Sequence, residues 1–433
     1  MNRKTIALSL LCLPLIFSCS KNDGKWISYS CNEFIATSDN HFVIPFNTQM
    51  KISYFKKDNQ KNSDTFDDDL FNLYSSSVTQ LHKTLDRHYD YLDEQDKQIT
   101  NVKTINDSYG TGEEIICSDE LYNLLKLGYN LTLQTNGYFN FFMGNLTDFW
   151  DEILTRINDL DPVEDVDPYF NKEQQDEMIR LKESTPTIEE IDGIFEFNDD
   201  KKSVIFKSIP DKEEHDRDNN LSKYRPYITS GGIAKGYATD LIKNILLSKG
   251  YTDGYINSGS SSLTSLSDFT FTKKGSQTIS IADPRIKGFQ REICMSLTLG
   301  KDYSLSTSGN YTNGMSYSFT DSETGKKVYR HHIINPYTGE CSQEHASVTL
   351  ISHSFSNGEL DAFSTAFVNM TTEQGLKFRK QIIYEYSNKY NQQYDLDLVY
   401  IDISDDENLN FTLNSDFSSE IKFSKKDFVV KYE

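Results

Sequence analysis

Apolar residues recur at helical spacing in "FDDDLFNLYSSSVTQLHKTLDRHYDYLD", where Leu70, Leu73 or Tyr74, Val78, Leu81 and Leu85 fall on one stripe. Three aspartates at its start suit the positive end of a helix, so the pattern predicts a helix over 66–93. A second helix is predicted from about Ser118, with Leu121, Leu124, Leu125, Leu127 and Leu131, running toward the aromatic-rich turn "TNGYFNFFMGNLTDFW". "GIFEFNDDKKSVIFK" alternates apolar and polar residues around Asn-Asp, as a hairpin does. "SGGIAKGYATDLIKNILLSKGY" reads as a glycine turn, an amphipathic helix and a stop at Gly250, and "DGYINSG" as the strand after it. Beyond Thr278, "TISIAD", "REICMSLTL", "MSYSFTD", "KKVYRHHIIN" and "HASVTLIS" read as strands, interrupted by one helix, "GELDAFSTAFVNM". Strands joined by turns rather than regular helices predict an α+β fold with largely antiparallel sheet. Residues 151–190, strongly acidic and weakly periodic, read as helix pieces in a surface excursion outside the core, and 210–223 as a charged loop.

The first residues change the picture of where the fold begins. Positive "MNRK", the short apolar run "TIALSLLCLPLI" and "FSCS" make a secretory signal over residues 1–18, with Cys19 as a lipid acceptor. The run is short for a transmembrane helix. Phe17 is bulky for its place before the cysteine, so cleavage without lipid is the alternative; the polar stretch from Ser20 to Lys25 favours a tether. The expectation is a lipid-anchored tether over 19–40 and one domain over 41–433. That places the protein at a bacterial cell envelope, on the periplasmic or outer side of a membrane. Removal of the signal leaves Cys31, Cys117, Cys294 and Cys341 without CxxC spacing, so no zinc site is expected and no pairing is readable. Across 433 residues, 65 acidic against 44 basic side chains give a net charge of −21, which repels polyanions. With no basic stripe, nucleic acid is excluded as a partner. A small anionic ligand then needs local compensation from a cation or from backbone amides.

Three stretches could carry chemistry. Asp361 and Thr365 are four apart in a helix, so their oxygens share one face and can offer a carboxylate and a hydroxyl to a hard cation such as Mg²⁺. An Asp near a helix start is, on its own, more often a dipole partner or cap. In "RHHIINPYTGE", adjacent histidines on a strand point to opposite faces, so at most one meets a cleft and serves as a general base; a plain strand and turn is the alternative. "SGGIAKGYATD" matches neither GxxxxGK[ST] nor GxGxxG, and offers a flexible backbone, a helix N-terminus and Lys235, or only a tight Gly-Gly turn. "STSGNYTNG" reads as a polar loop.

Taken in order, "FNT" (Phe46 to Thr48), "TNGYFN", "SGGIAKGYATD", "YINSGSSS", "STSGNY", "HIINPYTG" and "LDAFSTA" resemble the stations of the FAD:protein FMN transferase family, often called ApbE. The resemblance implies a two-lobed α+β fold with largely antiparallel sheets flanked by helices, and a ligand site between the lobes. It implies Mg²⁺-dependent transfer of FMN from FAD to a threonine or serine hydroxyl of an acceptor protein, releasing AMP. The acceptor would be a flavoprotein of a membrane redox complex or a secreted flavoprotein. Carried over by position, Asp361, Thr365 and the Gly232 carbonyl resemble the metal ligands, and His332 the base. Thr229, Lys235 and Ile333 fall at nucleotide contacts or beside the base, and Phe46, Tyr138, Phe139 and Asn140 at the flavin pocket. The chain departs from the family at Thr229 and Asn335, where Asp is usual, and at "SGSSS", where paired glycines are common. Two other readings are a flavin-binding or scavenging lipoprotein without turnover, and a pyrophosphatase splitting FAD into FMN and AMP.

Overall fold

Among the described residues nine strands form the main sheet, and their spatial order is their order in the chain: β1 (Gly24–Cys31), β2 (Met50–Lys57), β3 (Gly254–Ser258), β4 (Ser262–Ser265), β5 (Ser304–Gly309), β6 (Ser347–Ser352), β7 (Asp397–Ile403), β8 (Leu409–Leu413) and β9 (Phe428–Tyr432). Every pairing is antiparallel except β8 with β9. The computed structural model describes residues 24–60, 65–210, 223–259, 261–266, 269, 275–286, 292–310, 316–404, 407–424 and 428–433. The signal, Cys19 and most of the 210–223 loop therefore lie outside the described residues. Residues 24–31 do not belong to a tether. They pair along their whole length with β2, from Gly24 opposite Lys57 to Cys31 opposite Met50.

The sheet is covered on both faces, which explains the continuous apolar run of β7. Leu398 and Tyr400 face one core with Val348 and Leu350, while Val399 and Ile401 face another with Leu305, Leu409 and Phe411. Helices close the first core: α1 (Phe66–Leu85), α2 (Asp119–Gln134), α5 (Ala234–Ser248), α6 (Asn357–Val368) and α7 (Thr372–Tyr390). A three-stranded sheet of Gln277–Ala282, Ile293–Leu299 and Glu420–Phe423 closes the second. α1 buries the predicted stripe but ends at Leu85, short of Asp93. Asp86 stops it, because its carboxylate accepts the His88 N–H at 2.7 Å and the Tyr91 hydroxyl, a local alternative to the helical ladder.

The acidic excursion also differs from expectation. Its helices α3 (Gly144–Asn158) and α4 (Lys172–Ser184) enclose a small core of their own, with Leu146, Trp150, Ile153, Val166, Met178 and Leu181 packed against Ile334 and Cys341. Most of its charged residues form the outer face of this second lobe, while Asp167 is buried inside it. Composition hid the core because its apolar positions are split between short helices. Four cysteines, Cys31, Cys117, Cys294 and Cys341, are buried free thiols.

One glycine decides how the site helices meet. A Cβ on Gly236 would lie 2.1 Å from the Asn357 carbonyl oxygen and 2.8 Å from the Asp361 Cβ, so α5 and α6 cross at a distance only glycine permits. Asp240, one turn further, accepts the Asn357 and Gly358 N–H groups at 3.0 and 2.8 Å and fixes the start of α6 against α5.

Candidate active site

Between the small lobe and the helical face of the sheet lies a cavity of about 420 Å³. Its wall includes Phe46, Tyr138, Phe139, Asn140, Thr229, Gly232, Lys235, His332, Ile333, Asp361 and Thr365. All eleven site residues read from the sequence within the described chain thus meet in one place, from positions more than three hundred residues apart.

Each is set by local chemistry. Phe46 precedes β2 with φ of 52°, in the left-handed region, and Asn47 follows at 51°. The Phe46 N–H donates to His82 Nδ1 at 3.2 Å, and the two rings meet edge to face at 5.4 Å. After α2 the chain reverses through Asn136 and Gly137, both at positive φ, which delivers Tyr138 to Asn140 to the cleft. Tyr138 packs on Tyr337 at 5.0 Å. Asn140 spends its side chain on the protein, donating to the Pro186 carbonyl at 3.3 Å and accepting the Phe142 N–H at 2.9 Å. Thr229 is buried, and its hydroxyl oxygen accepts the Gly231 N–H at 3.4 Å. Lys235 stands in the first turn of α5 and donates to the Gly231 carbonyl at 3.2 Å.

Asp361 is 2% exposed. Its Oδ2 accepts the Gly236 N–H at 3.0 Å, and the Ser306 hydroxyl approaches Oδ1 at 3.5 Å. Burial raises its carboxyl above the usual range, opposed by Lys235, the Gly236 amide and the serines. Because the Gly236 amide turns to Asp361, it does not bond the Gly232 carbonyl four residues back. Thr365 donates its hydroxyl to the Asp361 carbonyl at 3.1 Å, leaving its lone pairs toward the cleft. Gly232 stands against it, for a Cβ there would lie 3.0 Å from Thr365 Oγ1. Among the described residues no group of three or more His, Cys, Asp or Glu side chains is placed to hold a metal. One carboxylate with a hydroxyl and a carbonyl instead suits a hard cation that takes its remaining ligands from water and phosphate. The donor set fits Mg²⁺.

The histidines are not on a strand. The hairpin strand Lys327–Arg330 ends before them, and they occupy the bend that follows. They still diverge, with ring centroids 6.5 Å apart at 79°. His331 is buried; its Nδ1 accepts the Ile333 N–H at 3.2 Å, so Nε2 carries the proton toward the Ser342 carbonyl at 2.7 Å. His332 opens on the cleft with protein packed round it. Desolvation by the protein around it, with His331 and Lys235 adding, lowers its imidazole below the ordinary value, although the side chain stays exposed to the cleft. It is neutral at pH 7 and free to accept a proton, and anionic phosphate in the cleft would raise its basicity.

Burial likewise pushes His331 down to about 4. Unfolded, it would titrate near the usual value of about 6.5. Between those values the unfolded chain takes up a proton that the folded chain refuses, so stability is full above the upper value and falls as pH drops toward the lower one. The thermal midpoint should therefore decline over that window, and less steeply in His331→Gln, which keeps a donor for Ser342. Equal slopes in both proteins would remove His331 as the cause.

The sequence reading missed part of the wall. Met143, just before α3, and Thr147, Asp151 and Leu154 on one stripe of it line the cavity, and Arg87 joins them, its guanidinium held by both Asp148 oxygens at 2.6 and 3.0 Å. The i, i+4, i+8 spacing of Met143, Thr147 and Asp151 was the available signal. Thr307 to Gly309 also line the cavity, and they belong to β5 rather than to a loop.

The ApbE family profile matches residues 46–386, most of the chain. No curated protein matches it. Among solved structures, the chain is similar to the ApbE protein of Thermotoga maritima, at 21% identity and a TM-score of 0.54 over 87% of this chain and 94% of that one. It is similar to the flavin transferase ApbE of Vibrio cholerae at 17% identity and 0.54, over 90% and 96%. It is similar also to the flavinyl transferase ApbE of Pseudomonas stutzeri at 16% identity and 0.53, over 88% and 93%. At such identities the likeness establishes the α+β fold, and the profile, spanning far more than half of the residues, establishes descent: the chain belongs to the ApbE family.

Proposed function

We propose that the protein transfers FMN from FAD to a threonine or serine hydroxyl of an acceptor flavoprotein, with Mg²⁺, and releases AMP. The observation that carries this reading is the convergence of Asp361, Thr365, Gly232, Lys235 and His332 on one cavity beside the aromatic wall of Phe46, Tyr138 and Phe139. A bare flavin binder has no use for a carboxylate, hydroxyl and carbonyl set opposite an uncharged imidazole.

The residues divide the work. Aromatic rings at 46, 138 and 139 hold the flavin ring system by stacking and burial. The N-terminal turn of α5 and Lys235 bring positive potential to the pyrophosphate in a chain that is otherwise strongly acidic. Asp361, Thr365 and the Gly232 carbonyl would hold Mg²⁺, which when bound neutralises charge on the phosphate oxygens. The acceptor hydroxyl oxygen forms a bond to the FMN-side phosphorus as the bond to the AMP oxygen breaks; His332 takes the hydroxyl proton, and AMP leaves with the electron pair. Incubation with FAD, Mg²⁺ and a candidate acceptor, followed by intact-mass measurement, tests the reading. An added FMN on the acceptor supports it. Free FMN and AMP without adduct would favour hydrolysis, and unchanged FAD would favour a storage protein.

We also propose that Cys19 is lipidated and tethers the domain to the envelope, on the strength of "FSCS" after a short apolar run. Cys19→Ser should lose metabolic labelling with a fatty acid. Equal labelling with and without the cysteine sinks the idea.

A further inference from the structure

We propose that Asp167 and Arg330 are positioning residues, whose buried ion pair makes the acidic excursion the brace that holds the His332 loop against the cleft. The proposal rests on the reading of His332 as the base.

Arg330 immediately precedes the two histidines, and its side chain reaches in two directions. Its Nε and Nη2 donate to the two Asp167 oxygens at 2.8 and 3.1 Å, and its Nη1 donates to Glu340 Oε2 at 2.5 Å. Residues 330 and 340 bracket the loop that carries His332, so one guanidinium ties its start to its end. Asp167 belongs to the excursion, in the turn after the short helix Val163–Val166. Its carboxylate is fully buried and fully used, accepting also the Tyr317 hydroxyl and the Tyr169 N–H. The guanidinium carbon lies 4.9 Å from the Trp150 ring centre and 5.5 Å from that of Phe319. Trp150, on α3, then donates its indole N–H to the Gly339 carbonyl at 2.7 Å, at the far end of the same loop. The small lobe therefore grips the loop at both ends.

Stability alone does not account for such a pair, since well-packed apolar residues in place of a buried ion pair are often as stable or more so. A planar fork pinned at both carboxylate oxygens fixes orientation as well as distance, which is what a base needs. The path to His332 is short: Arg330, then His331 with both ring nitrogens bonded within the loop, then the base.

Asp167→Asn and Arg330→Lys keep size while removing the charge or the fork. Each is to be measured alone and combined with His332→Ala. Thermal midpoint reports folding, flavin fluorescence reports FAD affinity, and intact mass reports the rate of FMN attachment. Expected are nearly unchanged FAD affinity and a fall in kcat of about 10- to 100-fold. Added to His332→Ala, either variant should cost no further rate, because both remove the same contribution. An unchanged kcat, or the same fold loss with and without His332, overturns the proposal. Should Asp167→Asn unfold, Arg330→Lys, which leaves no buried charge unpaired, carries the test. Hydrogen exchange gives a readout independent of turnover: Asp167→Asn should speed exchange in 331–342 and leave 357–368 unchanged, and unaltered exchange in 331–342 overturns the brace. If His332→Ala itself keeps full rate, the base reading fails, and the exchange result still decides whether the pair braces the loop.

Discussion

His332→Ala should bind FAD almost normally and attach FMN to an acceptor about 10²- to 10⁴-fold more slowly, the usual cost of losing a positioned base. The imidazole lies on the cavity wall and crowding keeps it uncharged, so it contributes little attraction to the pyrophosphate and much to proton removal. The neighbouring histidine provides the control, although a different one from that expected of a strand. A side chain facing away from the cleft would be dispensable. His331 instead is buried with both nitrogens bonded, so His331→Ala should lower the thermal midpoint and slow transfer only as far as the loop loosens. Matching losses of rate and FAD binding in the two variants would mean collapse of the loop, and His332 would have to be given up as the base.

How much of this was legible beforehand depended on whether a residue's role is local. The helix bearing Asp361 and Thr365 announces itself by period, while its start is fixed by a capping box of Ser356 and Glu359 that the structure adds. The hairpin at 195–206 follows from alternation around Asn-Asp, and α2 from its leucines. By contrast, the polar stretch from Ser20 to Lys25 points to a tether and gives no sign of β1, whose pairing with β2 depends on partners 19 to 33 residues further along the chain. β5 reads as a loop because "SLSTSG" is polar; Ser306 is buried and Ser308 half-buried against α6, where Ser308 and Ser364 bond at 2.8 Å, and no apolar pattern marks such a strand. The metal-side residues were legible as a motif, but the brace on the histidine loop was not. Asp167 and Arg330 are 163 residues apart, each unremarkable in its own stretch, and only the fold joins them.

Asp361→Asn should all but abolish Mg²⁺-dependent turnover while leaving flavin-ring binding largely intact. The substitution preserves shape but leaves the side chain a single oxygen. The Gly236 N–H already takes one carboxylate oxygen at 3.0 Å, so the amide turns that oxygen to Gly236 and presents its NH₂ where the other oxygen stood. The cation then loses its only charged protein ligand, and Thr365 and the Gly232 carbonyl offer dipoles alone. The affinity loss should exceed the about 10- to 100-fold that follows removal of a mere supporting partner. A pH signature separates this from structural damage. Burial raises the Asp361 carboxyl, so in the wild type Mg²⁺ must displace a proton at pH values where an ordinary aspartate is already ionised. Affinity should accordingly fall as pH drops through that raised value, and recover above it. In Asp361→Asn this pH dependence should vanish along with the tight binding, while the thermal midpoint stays close to that of the wild type because Gly236 still packs against α6. Titrating Mg²⁺ into both proteins at several pH values, with FAD bound, measures all of this. An unchanged Mg²⁺ requirement in the variant would place the cation elsewhere in the cleft.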